Sequence, residues 1–149
     1  PLAVDPVRFA ALEAERAGRE LARLIPPGTP VFLFGPATVP HLAGLRPPIQ
    51  ASNHLETLVV SQARTTEQMF AERGRWHHSG LWGVRDIEFW LEDDPRPWAI
   101  LWRDGLLARV DRYGWQAPAA LMLALLERHY APAGTVAYHG IVLEMWRRK

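Results

Sequence analysis

Six histidines are the residues of this sequence best suited to ligate a metal ion. His77 and His78, with His41 or His54, form the set that such a site would use. Adjacent side chains point in different directions on a helix or a strand, so the His77 and His78 pair does not chelate one ion as an i, i+4 pair does. No HExxH or carboxylate-spaced motif accompanies them. The sequence therefore predicts no metal site. These histidines are expected to be loop residues that are exposed or hydrogen-bonded.

Residues for nucleophilic or acid-base catalysis are present without a recognisable motif. Ser52 and Ser79 each lie near a histidine, but neither occupies a Gly-x-Ser-x-Gly turn. Carboxylates cluster between positions 86 and 94, where helical spacing would put Glu88 and Glu92 together on one exposed face. A solvated surface accounts for this cluster, so no catalytic residue is assigned; its members are Asp86, Glu88, Glu92, Asp93 and Asp94.

A glycine turn after an apolar run raises the possibility of a phosphate site, because doubly wound folds bind phosphates where the first strand ends. Gly35 is followed by Pro36, Ala37 and Thr38. The further glycines that admit a pyrophosphate are missing, and Pro36 lacks the amide that such a site uses. We expect a structural turn and no nucleotide cofactor.

Tryptophan is frequent, and most of these rings are expected in the core. A loop rich in Trp and His between Trp76 and Trp82 is the exception, since amphipathic rings there suit a sugar face, a protein partner or a bilayer interface. The predicted binding residues are Trp76, His77, His78, Trp82 and His41. The seven tryptophans are Trp76, Trp82, Trp90, Trp98, Trp102, Trp115 and Trp146.

The composition is that of one globular domain spanning residues 1–149. A formal net charge of +1 argues against a nucleic-acid partner, and the absence of cysteine excludes disulfides and thiolate catalysis. No apolar run reaches the roughly 18 residues of a membrane span. The first methionine is Met69, so we expect that an upstream region was removed. The basic end, with Trp146 beside Arg147 and Arg148, suits contact with lipid head groups or is a solvated terminus.

Helical and strand patterns alternate along the chain. This order predicts an α/β fold: a small mixed or mainly parallel sheet of about five strands with helices on both faces. Helices are predicted at residues 6–25, 37–45, 65–75, 84–93 and 117–130, and strands at residues 31–34, 58–60, 98–102, 135–138 and 141–146, the last two joined tightly at His139 and Gly140.

Four stretches of the sequence resemble the extracytoplasmic C-terminal domain of bacterial integral-membrane glycosyltransferases related to dolichyl-phosphate-mannose protein mannosyltransferases. Residues 21–35, which contain ARLIPPGTPVFLFG, are similar to that family's helix, proline-glycine turn and first strand. Residues 41–48, HLAGLRPP, are similar to the segment that follows. Residues 84–101 and 125–148 are similar to the later helix, proline turn and strand and to the closing helix and strand. Residues 50–83 depart from the pattern.

The resemblance implies a non-catalytic accessory domain of a membrane glycosyltransferase that uses a polyprenyl-phosphate-linked sugar. In that family the acidic catalytic residue lies in a loop near the first membrane helices, so no catalytic residue is carried over to this chain. The implied partners are the membrane-embedded part of the same parent protein and a glycan or a lipid head group. The implied location is the extracytoplasmic face of the bacterial cell membrane, with no cofactor held by this chain.

Two alternatives remain open from the residues themselves. One is a free-standing small α/β enzyme with its site at the C-terminal edge of the sheet, where residues 35–41 and 102–104 would converge and His41 and Asp104 would act as acid and base. The other is a protein-interaction module that uses the loop between Trp76 and Trp82.

Overall fold

A computed structural model describes residues 6–46, 87–93, 95–114 and 116–149 of the chain. The described part of the chain contains both helices and strands. They are α1 (Pro6–Leu24), β1 (Val31–Phe34), α2 (Thr38–Leu42), a π-helical turn (Phe89–Asp93), β2 (Trp98–Leu101), α3 (Arg103–Tyr113), α4 (Gln116–His129), β3 (Tyr130–Tyr138) and β4 (Ile141–Arg148).

The described strands form one four-stranded sheet in the order β1-β2-β4-β3. β1 and β2 are parallel, whereas β4 is antiparallel to both β2 and β3. The prediction of a mixed sheet is confirmed. The alternative of a mainly parallel sheet is wrong, because the chain returns from β3 to β4 through a tight turn instead of a helical crossover. The described residues form four strands against about five predicted, and the predicted strand at residues 58–60 lies outside them.

The β3–β4 hairpin turns at His139 and Gly140, as the sequence predicts. Both residues have positive φ, 48° and 76° respectively, which suits the right-handed twist of a two-residue hairpin turn. Both strands are longer than predicted. Tyr130 already pairs with Arg148, and a register shift occurs between Pro132 and Gly134. Proline and glycine weaken the local strand signal there, and pairing with β4 overrides it.

α1 is amphipathic, but some of its apolar side chains lie outside its buried stripe. Phe9, Leu12 and Leu24 are exposed. The helix is buried where α2 crosses it: a Cβ added at Gly18 would lie 2.9 Å from Cβ of Leu42. The close approach of the two helices therefore depends on glycine and draws a stripe of small and aliphatic residues inward, namely Ala14, Ala17, Leu21 and Ile25.

β1 is buried along its whole length, and its side chains alternate between two hydrophobic clusters. Val31 and Leu33 pack in the cluster to which α1 and α2 contribute. Phe32 and Phe34 pack in the cluster to which α4 contributes. A strand whose successive side chains enter two cores needs an unbroken apolar run, which explains the sequence Val-Phe-Leu-Phe.

α3 was not predicted from the sequence. It begins directly after Trp102 and ends at Gly114, which has a left-handed φ of 69° and donates its N–H to the carbonyl of Val110. Glycine at this position is a common helix C-terminus. Gly105 hides the helix from a propensity argument, yet the ring of Trp102 lies against it: a Cβ added there would be 2.3 Å from a ring carbon of Trp102.

The first prediction concerns Gly105. Gly105→Ala would gain up to about 1 kcal/mol in an unhindered helix, but the collision with the Trp102 ring should reverse the sign and destabilise the protein by about 1–3 kcal/mol. Chemical denaturation of both forms measures the difference. Trp102→Leu removes the ring and serves as the partner variant, so the alanine should be tolerated better in that background than in the wild type. An equal cost in both backgrounds would contradict the proposed collision.

The second prediction concerns Tyr130, whose buried hydroxyl donates to the carbonyl of Arg96 at 2.7 Å. Burial raises the pKa of this phenol from 10.0 to about 12. The unfolded chain therefore ionises first, and stability present below pH 10 should fall as the pH rises towards 12, by up to about 1.4 kcal/mol per pH unit. Tyr130→Phe should flatten this slope while costing about 1 kcal/mol at neutral pH through the lost hydrogen bond.

Urea unfolding at several alkaline pH values measures the slope, and tyrosinate absorbance follows the ionisation directly. Tyr138→Phe is the comparison variant, since burial also raises the pKa of Tyr138. If the tyrosine ionisation that occurs at the highest pH is unchanged in Tyr130→Phe, the assignment of that ionisation to Tyr130 is wrong.

Candidate functional site

A groove opens where β2 begins and β4 ends. Its volume is about 390 Å³, near the lower end of the range for small-molecule sites. Prolines and a tryptophan form one part of the lining, and three cationic side chains form the other. The lining residues are Pro95, Pro97, Trp98, Arg147, Arg148 and Lys149.

The strand register places the aromatic ring next to the first cation. Trp98 and Arg147 are directly opposite one another in the β2–β4 pair, so their side chains share one face of the sheet. The guanidinium carbon of Arg147 lies 5.9 Å from the centre of the Trp98 ring, within cation–π distance. Trp98 is only partly buried and Arg147 is exposed. The pair therefore presents a ring and a charge to solvent together.

Backbone hydrogen bonds hold the other two cations at the same end of the sheet. The N–H of Arg148 donates to the carbonyl of Pro97 at 3.0 Å, which continues the ladder beyond β2. The N–H of Lys149 donates to the carbonyl of His129 at 2.9 Å. The Nζ of Lys149 donates to the carbonyl of Glu127 at 2.8 Å, at the last turn of α4. Helix C-terminal carbonyls attract a cation, which accounts for this contact of the exposed ammonium.

The charge of the groove is one-sided. Its six described lining residues include three cations and no acidic side chain. Within the described parts of the chain, neither Arg147 nor Arg148 forms an ion pair. A concave surface lined by cationic side chains attracts anions, and the neighbouring ring suits an apolar or sugar group attached to the anion.

The alternative enzyme site was predicted at the opposite end of the sheet, where β1 and β2 reach their carboxyl ends. β1 and β2 are adjacent and parallel, and the N–H of Trp102 donates to the carbonyl of Phe34 at 2.7 Å, so the predicted convergence of their carboxyl ends is confirmed. His41 is exposed on α2, and Asp104 is exposed in the first turn of α3. Their proposed roles as acid and base stay predictions.

Internal contacts fill much of this second edge. Arg103 donates to both carboxylate oxygens of Glu144, from Nε at 2.7 Å and from Nη2 at 3.0 Å. This hydrogen-bonded pairing raises the pKa of Arg103 further above its ordinary value. The guanidinium of Arg109 lies 6.0 Å from the rings of both Phe34 and Trp102, and its Nη1 donates to the carbonyl of Gly105 at 2.9 Å.

The predicted binding loop is not among the residues that the structure describes. Trp76, His77, His78 and Trp82 lie outside the described residues, as do His54, Ser52, Ser79, Asp86, Asp94 and Trp115. Of the predicted binding residues only His41 is described. Within the described part of the chain, no three His, Asp or Glu side chains form a group that could hold a metal ion.

The predicted carboxylate cluster is only partly a solvated face. Glu92 is exposed, and its Oε1 lies 3.6 Å from Nη1 of Arg128 and 3.4 Å from Nε2 of His129 at the end of α4. Glu88 is half-buried. Glu92 therefore joins the π-helical turn to α4, a long-range contact that helical spacing alone does not reveal.

Sequence reasoning found the cations of the groove but paired them with the wrong ring. Trp146 is buried in the hydrophobic cluster that contains Phe32 and Met122, and its Nε1 has no hydrogen-bond partner among the residues that the structure describes. Trp98, far away in sequence, supplies the ring that the groove presents. Only the β2–β4 register could have revealed this pairing.

No family model matches the chain, and neither a curated protein nor a solved structure shows significant similarity to it. Among the described residues, none of the helices has the length and apolar character needed to cross a membrane.

The third prediction concerns the filled edge. Glu144→Gln should destabilise the protein by about 1–2 kcal/mol, because it leaves the half-buried guanidinium of Arg103 without its charged partner. Glu20→Gln is the matched control, since Glu20 pairs with Arg16 at 2.6 Å on the exposed surface of α1 and should cost no more than about 0.5 kcal/mol. Thermal and urea unfolding compare them. Equal costs would show that the Arg103–Glu144 pair has no special role in closing this edge.

Proposed function

We propose that this chain is a non-catalytic accessory domain of a membrane glycosyltransferase that uses a polyprenyl-phosphate-linked sugar. It acts by binding on the extracytoplasmic face, where it stabilises the parent protein or helps to admit an acceptor. Its partners are the membrane-embedded part of that parent and a glycan or a lipid head group. The observation that carries this proposal is the groove with Trp98 beside three cations.

The groove suits this role because its lining combines an aromatic ring with cations. A glycan carrier or a lipid head group likewise combines a sugar or apolar part with an anionic part. A tryptophan ring packs against the face of a sugar or an acyl-chain boundary, where amphipathic aromatic rings are favourable. Lysine and arginine near an anionic membrane surface gain about 1 kcal/mol each. Both contacts require exposed side chains, and Arg147, Arg148 and Lys149 are exposed.

The fold supports a binding role in a second way. Residues of α1 and α2 enter one hydrophobic cluster and residues of α4 enter the other, which supports helices on both faces of the sheet. A domain closed on both faces contacts partners through its edges and loops. The groove lies at one such edge, beside the backbone that joins Pro97 to Arg148.

The free-standing enzyme is the second candidate, favoured by one observation. The carboxyl ends of the parallel strands β1 and β2 lie side by side, and open α/β sheets bind ligands at the carboxyl ends of their strands. His41 and Asp104 would be its acid and base. The contacts of Trp102, Arg103 and Arg109 occupy that edge, so the groove supports binding better than the edge supports catalysis. An interaction module using the loop between Trp76 and Trp82 concerns residues outside those described.

The proposal is tested first in the reading frame upstream of Pro1. Several hydrophobic spans of membrane length immediately before this chain would support an extracytoplasmic accessory domain. A start codon or a short signal peptide there would contradict it and favour the free-standing enzyme.

The fourth prediction applies to the parent protein. Arg147→Ser/Arg148→Ser should lower sugar transfer by about tenfold at limiting acceptor or donor, the equivalent of about 1.4 kcal/mol of binding energy. At saturating concentrations the rate should recover, because the domain binds and does not catalyse. Arg19→Ser/Arg23→Ser is the control, since it removes the same charge from exposed positions of α1. Loss of rate at saturation, or equal loss in the control, would contradict a binding role for the groove.

A further inference from the structure

We infer that the groove of Pro95, Pro97, Trp98, Arg147, Arg148 and Lys149 binds a phosphate ester, with the cations contacting the phosphate and Trp98 contacting the group attached to it. This inference rests on the proposed function only for the choice of the groove as the binding surface. The chemistry of the ligand is argued from the side chains themselves.

Two guanidinium groups at one rim favour a phosphate over other ligands. A planar guanidinium donates two parallel N–H bonds to two oxygens of one phosphate, which a neutral sugar does not offer. Arg147 and Arg148 are consecutive in β4, so their side chains start towards opposite sides of the strand. Both nevertheless line the groove. The groove therefore offers two guanidinium groups to an anion.

The ring of Trp98 holds Arg147 without using its donors. A guanidinium that lies over an aromatic ring contacts it through its flat face, and the N–H groups at its edges stay available. The guanidinium carbon of Arg147 lies 5.9 Å from the centre of the Trp98 ring, within cation–π distance. Stacking also reduces the rotamer freedom that a lone arginine loses on binding an anion. The side chain is thus partly prepared for its ligand.

Lys149 supplies a third positive charge, at the end of α4. Its Nζ donates to the carbonyl of Glu127 at 2.8 Å and lies 3.5 Å from the carbonyl of Arg128. An ammonium has three N–H groups, so one remains for a ligand after these two contacts. By contrast, Nε and Nη2 of Arg103 both donate to the carboxylate of Glu144. The available cations are therefore in the groove and not at the opposite edge.

The experiment uses the 149-residue chain and amide NMR spectra, in which the indole signal of Trp98 and the amide signals of Arg147 and Arg148 report on the groove. Inorganic pyrophosphate is the probe, with sodium chloride at matched ionic strength as the reference, because screening alone moves exposed charges. Saturable shifts confined to the groove are expected. Arg147→Gln/Arg148→Gln should weaken pyrophosphate binding by about tenfold or more.

Two further variants keep the outcome interpretable. Arg19→Gln/Arg23→Gln removes two exposed charges elsewhere and should bind pyrophosphate like the wild type. Trp98→Leu should leave pyrophosphate binding within about threefold, since the ring contacts the attached group and not the phosphate. It should weaken binding of a phosphate ester that carries a sugar. A Trp98→Leu chain that does not fold is replaced by Trp98→Val, which suits a strand and has no aromatic face.

Vesicles distinguish the sources of the phosphate. Binding to phosphatidylcholine vesicles that contain phosphatidic acid, together with pyrophosphate binding, supports a lipid-borne phosphate ester; pyrophosphate binding without vesicle binding supports a soluble one. The inference is overturned if the wild type shows no saturable shifts with pyrophosphate, or if both arginine double variants bind it equally well. That failure would leave the proposed function standing, because the parent's transfer rates test it separately.

Discussion

β2 lies at the centre of the sheet, and its pairing with β1 on one side and β4 on the other is the constraint on which the rest of the structure depends. The strand has only four residues, and three of them, Ala99, Ile100 and Leu101, are fully buried. Buried amides and carbonyls must be hydrogen-bonded, so both neighbouring strands have to be in place before this strand can be desolvated. The two hydrophobic clusters form on the sheet that results, with Ile100 in one and Leu101 in the other.

The β2–β4 pair also determines what each edge of the sheet presents. At one end the register brings Trp98 opposite Arg147, and at the other it brings Leu101 opposite Glu144. Glu144 is met by Arg103, the first residue of α3, so charge is neutralised at that edge. Arg147 is met by an aromatic ring, which leaves its charge uncompensated. One short antiparallel pair thus has one end that internal contacts fill and another end that presents exposed cations.

This asymmetry is the physical basis for a binding role at the open edge. Exposed cations beside an aromatic ring cost little to maintain, because the guanidinium stays hydrated while the ring remains partly packed against the hydrophobic cluster to which α1 and α2 contribute. The closed edge, where α/β sheets often hold a ligand, is used for packing by Trp102 and Arg109. The groove that can attract an anion and the packed contacts of Trp102 and Arg109 therefore lie at different ends of the sheet.

Local patterns determined much of this protein. Apolar spacing identified α1, α4 and the buried run of β1, and the positive-φ pair His139 and Gly140 marked the hairpin, because these signals act over a few residues. The sequence missed α3, whose glycine at position 105 lowers helix propensity but admits the ring of Trp102. It also paired the terminal cations with Trp146, their neighbour along the chain. Only the tertiary structure decided that Trp146 is buried and Trp98 lies beside Arg147, because strand register depends on contacts between residues distant in sequence.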